Sequence, residues 1–219
     1  MKNSIFVTGT NTDVGKTYIG IKLLKELNKK KDFLAFKPIE TGCEVRKGLL
    51  IPSDSTKYYH ALGKKITLDE INPYRFIESV SPYLAIKNAN KKIYIKDYIM
   101  KYKKIIQNRP CIIEGAGGAF SPLAIDGLNI DLMKKIKSFN ILIVKDELGC
   151  IGMAISTMLA FERLKASLDL VILNTTKKNQ MENFKEIRKY SKIPVVNYTS
   201  ENSIKKISKK ISKKVLDLL

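Results

Sequence analysis

Two long apolar runs, "FNILIVKD" (139–146) and "LDLVILNTT" (168–176), flank a helix-like stretch from about Cys150 to Lys165. Neither run alternates polar with apolar residues, so each is read as buried on both faces. Such strands belong to a parallel sheet with helices packed above and below it. The pattern recurs along the chain. "SIFVTG" (4–9) is an apolar strand, followed by helical periodicity over residues 16–29. "DFLAFKPI" (32–39) is a second strand, ended by Pro38. "CIIEGAGG" (111–118) is a buried strand that breaks into a glycine-rich loop, and "IPVVNY" (193–198) is a short last strand. Residues from Gly42 to about Asn90, with Pro52, Pro73 and Pro82, are less regular. The chain has 219 residues, 44% of them hydrophobic, with no repeat and no obvious linker. It is therefore expected to fold as one α/β domain over 1–219, a mainly parallel sheet in a three-layer arrangement.

In open parallel sheets ligands bind beyond the carboxyl ends of the strands. The loop after Gly9, Lys37, Glu114 and Asn174 all fall there. The loop reads "GTNTDVGKT" (9–17), one residue longer than the ordinary G-x-x-x-x-G-K-(S/T) phosphate loop. It follows a strand and starts a helix, the setting in which backbone N–H groups hold phosphate oxygens. Asp13, Val14, Gly15, Lys16, Thr17 and Tyr18 are assigned to nucleotide binding, with Lys16 on the outer phosphates and the Thr17 hydroxyl on Mg²⁺. The extra length puts the side chains of Thr10, Asn11, Thr12 and Asp13 at the mouth of the loop. Glu114, at the end of a buried strand, suits a metal carboxylate. Gly115, Gly117 and Gly118 after it permit a turn whose N–H groups meet an anion. In "FKPIETG", Lys37 is placed to offset negative charge at a reacting centre, with the Thr41 hydroxyl nearby. Asp54 in "PSDS" is either a second metal carboxylate or a turn or N-cap aspartate.

The ordered set "FVTGTNTDVGKT", "KPIETG", "SD" at 53–54, "NPY", "SP", "IEGAGG" and "LGCI" at 148–151 resembles the dethiobiotin synthetase family over about residues 3–174. The resemblance implies a P-loop NTPase-type α/β fold and a homodimer with substrate bound across its interface. It also implies ATP-dependent closure of the ureido ring from 7,8-diaminopelargonic acid and CO₂, by way of a carbamate and its mixed anhydride with phosphate. On this resemblance Lys16 and Lys37 offset the charge of the carbamate and the migrating phosphoryl group, while Thr12 and Thr41 lie beside the carbamate. Thr17, Asp54 and Glu114 hold Mg²⁺. Backbone N–H groups of Gly149, Cys150 and Ile151 take the distal carboxylate of a substrate bound to the neighbouring subunit, and Asn174 faces the adenine. The chain departs from the family pattern at two places. Gly152 stands where asparagine often follows "LGCI", and "VVNYTSEN" lacks the G-x-(I/L)-P turn that helps to enclose the base.

The formal net charge is +19, yet only five of the 40 basic residues are arginine (Arg46, Arg75, Arg109, Arg163, Arg188). Arginine is the residue suited to bidentate phosphate and base recognition. A lysine-rich wet surface is therefore favoured over a nucleic-acid or membrane partner, and it attracts anionic substrates. In the tail "SIKKISKKISKKVLDLL", Ile204, Ile207, Ile211, Val215 and Leu218 form one helical stripe, expected to dock on the sheet with lysines outward. No apolar run approaches the ~20 residues of a membrane span. The N-terminus runs straight into a strand, and Cys43, Cys111 and Cys150 show no C-x-x-C spacing. A cytoplasmic protein with reduced thiols and no secretory leader is expected. The competing classes are an amidoligase of the cobyrinic or cobyric acid synthase type and a partitioning or septum-site ATPase. The first needs a glutaminase domain for which the chain has no room. The second usually carries an additional lysine early in the loop, where this chain has Thr10 or Asn11.

Overall fold

The run Ser4–Gly9 (β1) is buried along its whole length because it lies inside a six-stranded parallel sheet. The structure, a computed structural model, describes residues 4–175 and 182–215, apart from the side chains at 213 and 214. After β1 come α1 (Lys16–Leu27), β2 (Leu34–Phe36), β3 (Ile39–Glu40) and the hairpin β4 (Glu44–Arg46) and β5 (Leu49–Ile51). The next stretch holds α2 (Ser53–Ala61), α3 (Leu68–Ile71), β6 (Tyr74–Arg75), α4 (Pro82–Asn88) and α5 (Ile95–Ile106). Then follow β7 (Cys111–Gly118), β8 (Pro122–Ala124), β9 (Gly127–Leu128), α6 (Asn129–Ile136), β10 (Phe139–Lys145) and α7 (Cys150–Arg163). The chain closes with β11 (Leu170–Asn174), α8 (Asn183–Lys189), β12 (Val195–Tyr198) and α9 (Glu201–Val215).

The sheet order is β12-β11-β10-β1-β7-β2, all parallel. From β1 the chain crosses to β2 in one direction; from β7 it crosses over β1 to β10 and on to β11 and β12 in the other. Right-handed crossovers then place α1 on one face and α6, α7 and α8 on the opposite face. Helices α2 and α9 pack against α1, and α5 packs against α6, so the sheet is covered on both sides. The reversal of winding beside β1 opens a crevice at the carboxyl ends of β1 and β7, where a ligand has access to backbone N–H groups.

The strand expected in the run 32–39 and ended by Pro38 is present but shorter, at Leu34–Phe36. Strand β2 ends at Phe36, and Ile39–Glu40 pairs with Tyr74–Arg75 in a separate two-stranded sheet. Pro38 has no N–H for the ladder, and the Lys37 N–H turns instead to the Ile71 carbonyl at 2.7 Å. The glycine-rich run after Glu114 remains strand to Gly118, through a register shift against β1. The irregular middle contains three helices, two of them with readable caps: the Thr67–Glu70 capping box of α3, and Ser81 before Pro82 in α4. Ile204, Ile207, Ile211 and Val215 of α9 are buried, as the docked-helix expectation requires. Leu218 lies outside the described residues.

Candidate active site

The loop after β1 needs two missing side chains. A Cβ on Gly9 would lie 2.5 Å from Val14 Cγ2, and one on Gly15 would collide with the Asn174 amide. Gly15 also has φ of 94°, a left-handed conformation that glycine adopts at little cost. Asn174, at the end of β11, donates from Nδ2 to the Val14 carbonyl at 3.0 Å and so ties the loop to the sheet. Its Oδ1 is buried without a hydrogen-bond partner. Lys16 is buried where α1 begins and donates to the Asn11 carbonyl at 2.8 Å, so its ammonium spans the mouth of the loop.

Below the loop, three side chains converge on Glu114. Its Oε1 accepts from Thr17 Oγ1 at 2.9 Å and from Lys37 Nζ at 2.5 Å; its Oε2 accepts from the Tyr58 hydroxyl at 2.8 Å. Lys37 Nζ also lies 3.5 Å from Asp54 Oδ2, so one buried ammonium stands between two carboxylates. Burial opposes its charge, but Glu114, Asp54 and Glu40 together hold its pKa well above the usual lysine value. Lys16 goes the other way. Burial, aided by the Lys37 charge, pushes it down to about 8, only partly offset by Glu114, Asp54 and Asp13. Burial would raise the Asp54 carboxyl, yet Lys37 and Lys57 hold it below the usual range. Tyr58 is fully buried beside Glu114, which keeps its hydroxyl protonated far above neutral pH.

Asp54 owes its place to Glu40. Helix α2 begins after Pro52, whose side chain cannot cap it. The buried Glu40 carboxylate takes over, accepting from the N–H groups of Asp54 (2.8 Å) and Ser55 (3.0 Å) and from the Ser55 hydroxyl (2.6 Å). Asp54 is therefore a first-turn residue aimed at Lys37, not the N-cap itself. Sequence reasoning missed Glu40, Tyr58 and Gly20. Glu40 stands inside "FKPIETG", but no pattern there links it to a helix start 14 residues on. The spacing of Asp54 and Tyr58 puts them on one face of a helix, but which face meets Glu114 is a tertiary matter.

Thr12, Asp13, Gly15, Lys16, Thr17, Tyr18, Lys37, Thr41, Asp54 and Gly117 line one cleft of about 800 Å³, together with Ser79 to Pro82. Glu114 meets Lys37 and Thr17 at the edge of this cleft, and Val14 and Asn174 brace its loop. The Gly118 N–H is taken by Ser121 Oγ at 2.9 Å, while Gly117 faces the cleft. Gly149, Cys150 and Ile151 are not part of it. They form the start of α7, with Gly149 at φ of 87° and the neighbouring Leu148 90% exposed. Among the described residues no three His, Cys, Asp or Glu side chains gather closely enough to hold a metal by themselves. The Thr17 hydroxyl and the carboxylates of Asp54 and Glu114 are hard oxygen donors around a point already occupied by a cationic ammonium. That donor set suits a hard cation sharing its remaining positions with phosphate oxygens and water.

A family model described as an AAA domain matches residues 3–202. The chain is 32% identical over 212 residues to the ATP-dependent dethiobiotin synthetase BioD of Vesicomyosocius okutanii subsp. Calyptogena okutanii, covering 97% of this chain and 96% of that one. It is 27% identical to the protein of that name in Ruthia magnifica subsp. Calyptogena magnifica, with 97% and 98% covered, and 31% identical to that of Rhodopirellula baltica, with 90% and 83% covered. Among solved structures, a plasmid partition protein from Borrelia burgdorferi superposes with a TM-score of 0.61 at 15% identity, covering 100% of this chain and 99% of that one. A ParA family ATPase from Chlorobium tepidum gives 0.57 at 13%, with 100% and 93% covered. At those identities the likeness is one of fold.

Proposed function

The chain belongs to the family of ATP-dependent dethiobiotin synthetases, which are cyclo-ligases, and from that premise we propose that it closes the ureido ring of dethiobiotin from 7,8-diaminopelargonic acid, CO₂ and ATP. The observation that carries this reading is the buried Lys37 ammonium between Glu114 and Asp54, beside a phosphate loop and facing a cleft with space for a second substrate. Beside a loop that already carries Lys16, a second fixed cation suits a reaction in which two anions, a carbamate and a phosphoryl group, must approach each other.

In the proposed reaction one substrate amine attacks CO₂, loses a proton and becomes a carbamate. A carbamate oxygen then attacks the γ-phosphorus of ATP, ADP departs, and a carbamic–phosphoric anhydride remains. The second amine attacks the anhydride carbon, phosphate leaves with the C–O bonding pair, and the amine proton is released as the ring closes. Lys37 stays charged throughout the neutral range, so it offsets the carbamate and the phosphoryl oxygens as they approach each other. Lys16 leaves the Asn11 carbonyl for the outer phosphates of ATP. Thr12 and Thr41 supply hydroxyls on the carbamate side of the cleft. Mg²⁺, when bound by Thr17, Asp54 and Glu114, neutralises phosphate charge. The unpaired Oδ1 of Asn174 is an acceptor for the amino group of adenine. Tyr18 lines the cleft, and its hydroxyl lies 3.0 Å from that of Tyr198, in the segment that lacks the family's proline turn. Gly149, Cys150 and Ile151 would receive the distal carboxylate of a substrate held by a second subunit, which makes the working unit a homodimer. A biosynthetic reaction of small molecules in the cytoplasm completes this reading.

The direct test is incubation with diaminopelargonic acid, bicarbonate and Mg-ATP, with mass analysis for dethiobiotin. Formation of product in step with ADP is expected; no product at saturating substrate would overturn the reading.

A further inference from the structure

We propose that Tyr58 is a positioning residue for Glu114: its hydroxyl fixes one carboxylate oxygen so that the other alone faces Thr17 and Lys37, and Gly20 is the opening in α1 through which it does so. The proposal rests on the reading that Glu114 belongs to the metal–nucleotide site. Tyr58 stands one helical turn after Asp54 on α2 and is 1% exposed. It donates to Glu114 Oε2 at 2.8 Å, leaving Oε1 to Thr17 and Lys37. Glu114 has a flexible side chain, and two donors on a single oxygen do not fix its plane. A third donor on the other oxygen does.

Gly20 supplies the second observation. It lies inside α1, four residues after Lys16, where glycine is a poorer helix former than alanine. A Cβ there would collide with the Tyr58 hydroxyl and approach the ring carbon that bears it to 3.2 Å. The cost to the helix is explained by the close passage of this one side chain. Through it α1, which carries Thr17, and α2, which carries Asp54, share a spacing set by the same tyrosine that holds Glu114.

Tyr58→Phe in the full chain keeps the ring and deletes the contact. Calorimetric titration of ADP with Mg²⁺ present and with Mg²⁺ chelated separates metal-linked from metal-free binding. Apparent Mg²⁺ affinity is expected to fall by about tenfold to a hundredfold, while metal-free ADP binding stays within about twofold, as a change confined to the metal ligand requires. Unchanged Mg²⁺ dependence, or equal losses with and without metal, would overturn the proposal. Gly20→Ala is expected to reproduce the metal-linked loss in the wild-type chain. Added to Tyr58→Phe it is expected to cost less, because the colliding hydroxyl is gone. Equal losses in the two chains would remove Gly20 from the proposal. Should Tyr58→Phe not fold, Gly20→Ala alone decides, because an unaltered Mg²⁺ dependence there also overturns the proposal. Dethiobiotin formation by the wild-type chain is read separately. Its absence alongside a metal-specific effect of Tyr58→Phe refutes the reaction and leaves the positioning role standing.

Discussion

Lys16 and Lys37 are both buried lysines beyond the carboxyl ends of sheet strands, and their surroundings push them in opposite directions. With its pKa near 8, Lys16 loses its proton just above neutrality in the free protein. Bound triphosphate favours the charged form, so nucleotide binding at a pH above about 8 is expected to take up a proton, and affinity is expected to fall as pH rises further. Calorimetry in two buffers of different ionisation enthalpy measures that uptake directly. The same lowering makes folding stability depend on pH. Between about 8 and the ordinary lysine range the unfolded chain binds more protons than the native one. The Lys16 penalty on stability is therefore complete below that window and is relieved as pH rises through it. Lys37 has two carboxylate partners, and Lys37→Ala leaves Glu114 buried without its countercharge. That variant is expected to lose about 3–5 kcal/mol in denaturant unfolding. It should also lose turnover while nucleotide Kd stays within a few-fold if, as proposed, its role lies at the reacting centre.

Helix α2 shows how one element can be built for a site. It begins without a cap from its own N-cap residue, borrows the Glu40 carboxylate, and presents Asp54 and Tyr58 a turn apart, one to Lys37 and the other to Glu114. Glu40→Ala strands two N–H groups and the Ser55 hydroxyl in a buried setting. A loss of about 1–3 kcal/mol in urea unfolding is expected. Apparent Mg²⁺ affinity should fall with it, because the strut under Asp54 is gone. Unchanged stability would mean that the Asp54 and Ser55 N–H groups are satisfied by water. Helix α9 uses its sequence more simply. Ile204, Ile207 and Ile211 are buried against the body of the protein, while Lys205, Lys206, Lys209 and Lys210 are exposed, so its basic side is a solvated face.

At the scale of the whole molecule, Gly149, Cys150 and Ile151 at the start of α7 are not among the residues that line the cleft. Leu148 and Leu159 are exposed apolar side chains before and on that helix. If the working unit is a homodimer joined there, Leu159→Asp should shift sedimentation toward monomer. It should raise KM for diaminopelargonic acid well above that for ATP. A monomeric wild type with full activity would exclude the shared site. No helix among the described residues is long and apolar enough to cross a membrane. The basic composition makes a nucleic-acid test worthwhile. Binding to random duplex DNA is expected to be weak at physiological ionic strength despite the net charge of +19. Tight binding with a steep salt slope would restore that alternative.

Sequence alone determined the sheet, the phosphate loop and the family, because each rests on local patterns: double-sided apolar strands, a strand–glycine–helix turn, and short motifs in a fixed order. It also placed Thr12, Lys16, Thr17, Lys37, Thr41 and Asp54, which all line the cleft. What it could not contain is the company those residues keep. Lys37 reads equally as a surface lysine until β2 and β7 lie side by side and Glu114 reaches it. Glu40, Tyr58 and Gly20 take their meaning from contacts with residues far along the chain: Glu40 with the start of α2, Tyr58 with Glu114, and Gly20 with Tyr58. Local patterning dictates which elements form. The protonation of Lys16 and Lys37 and the orientation of Glu114 depend on desolvation and on charges brought together by packing, and only the tertiary structure decides those.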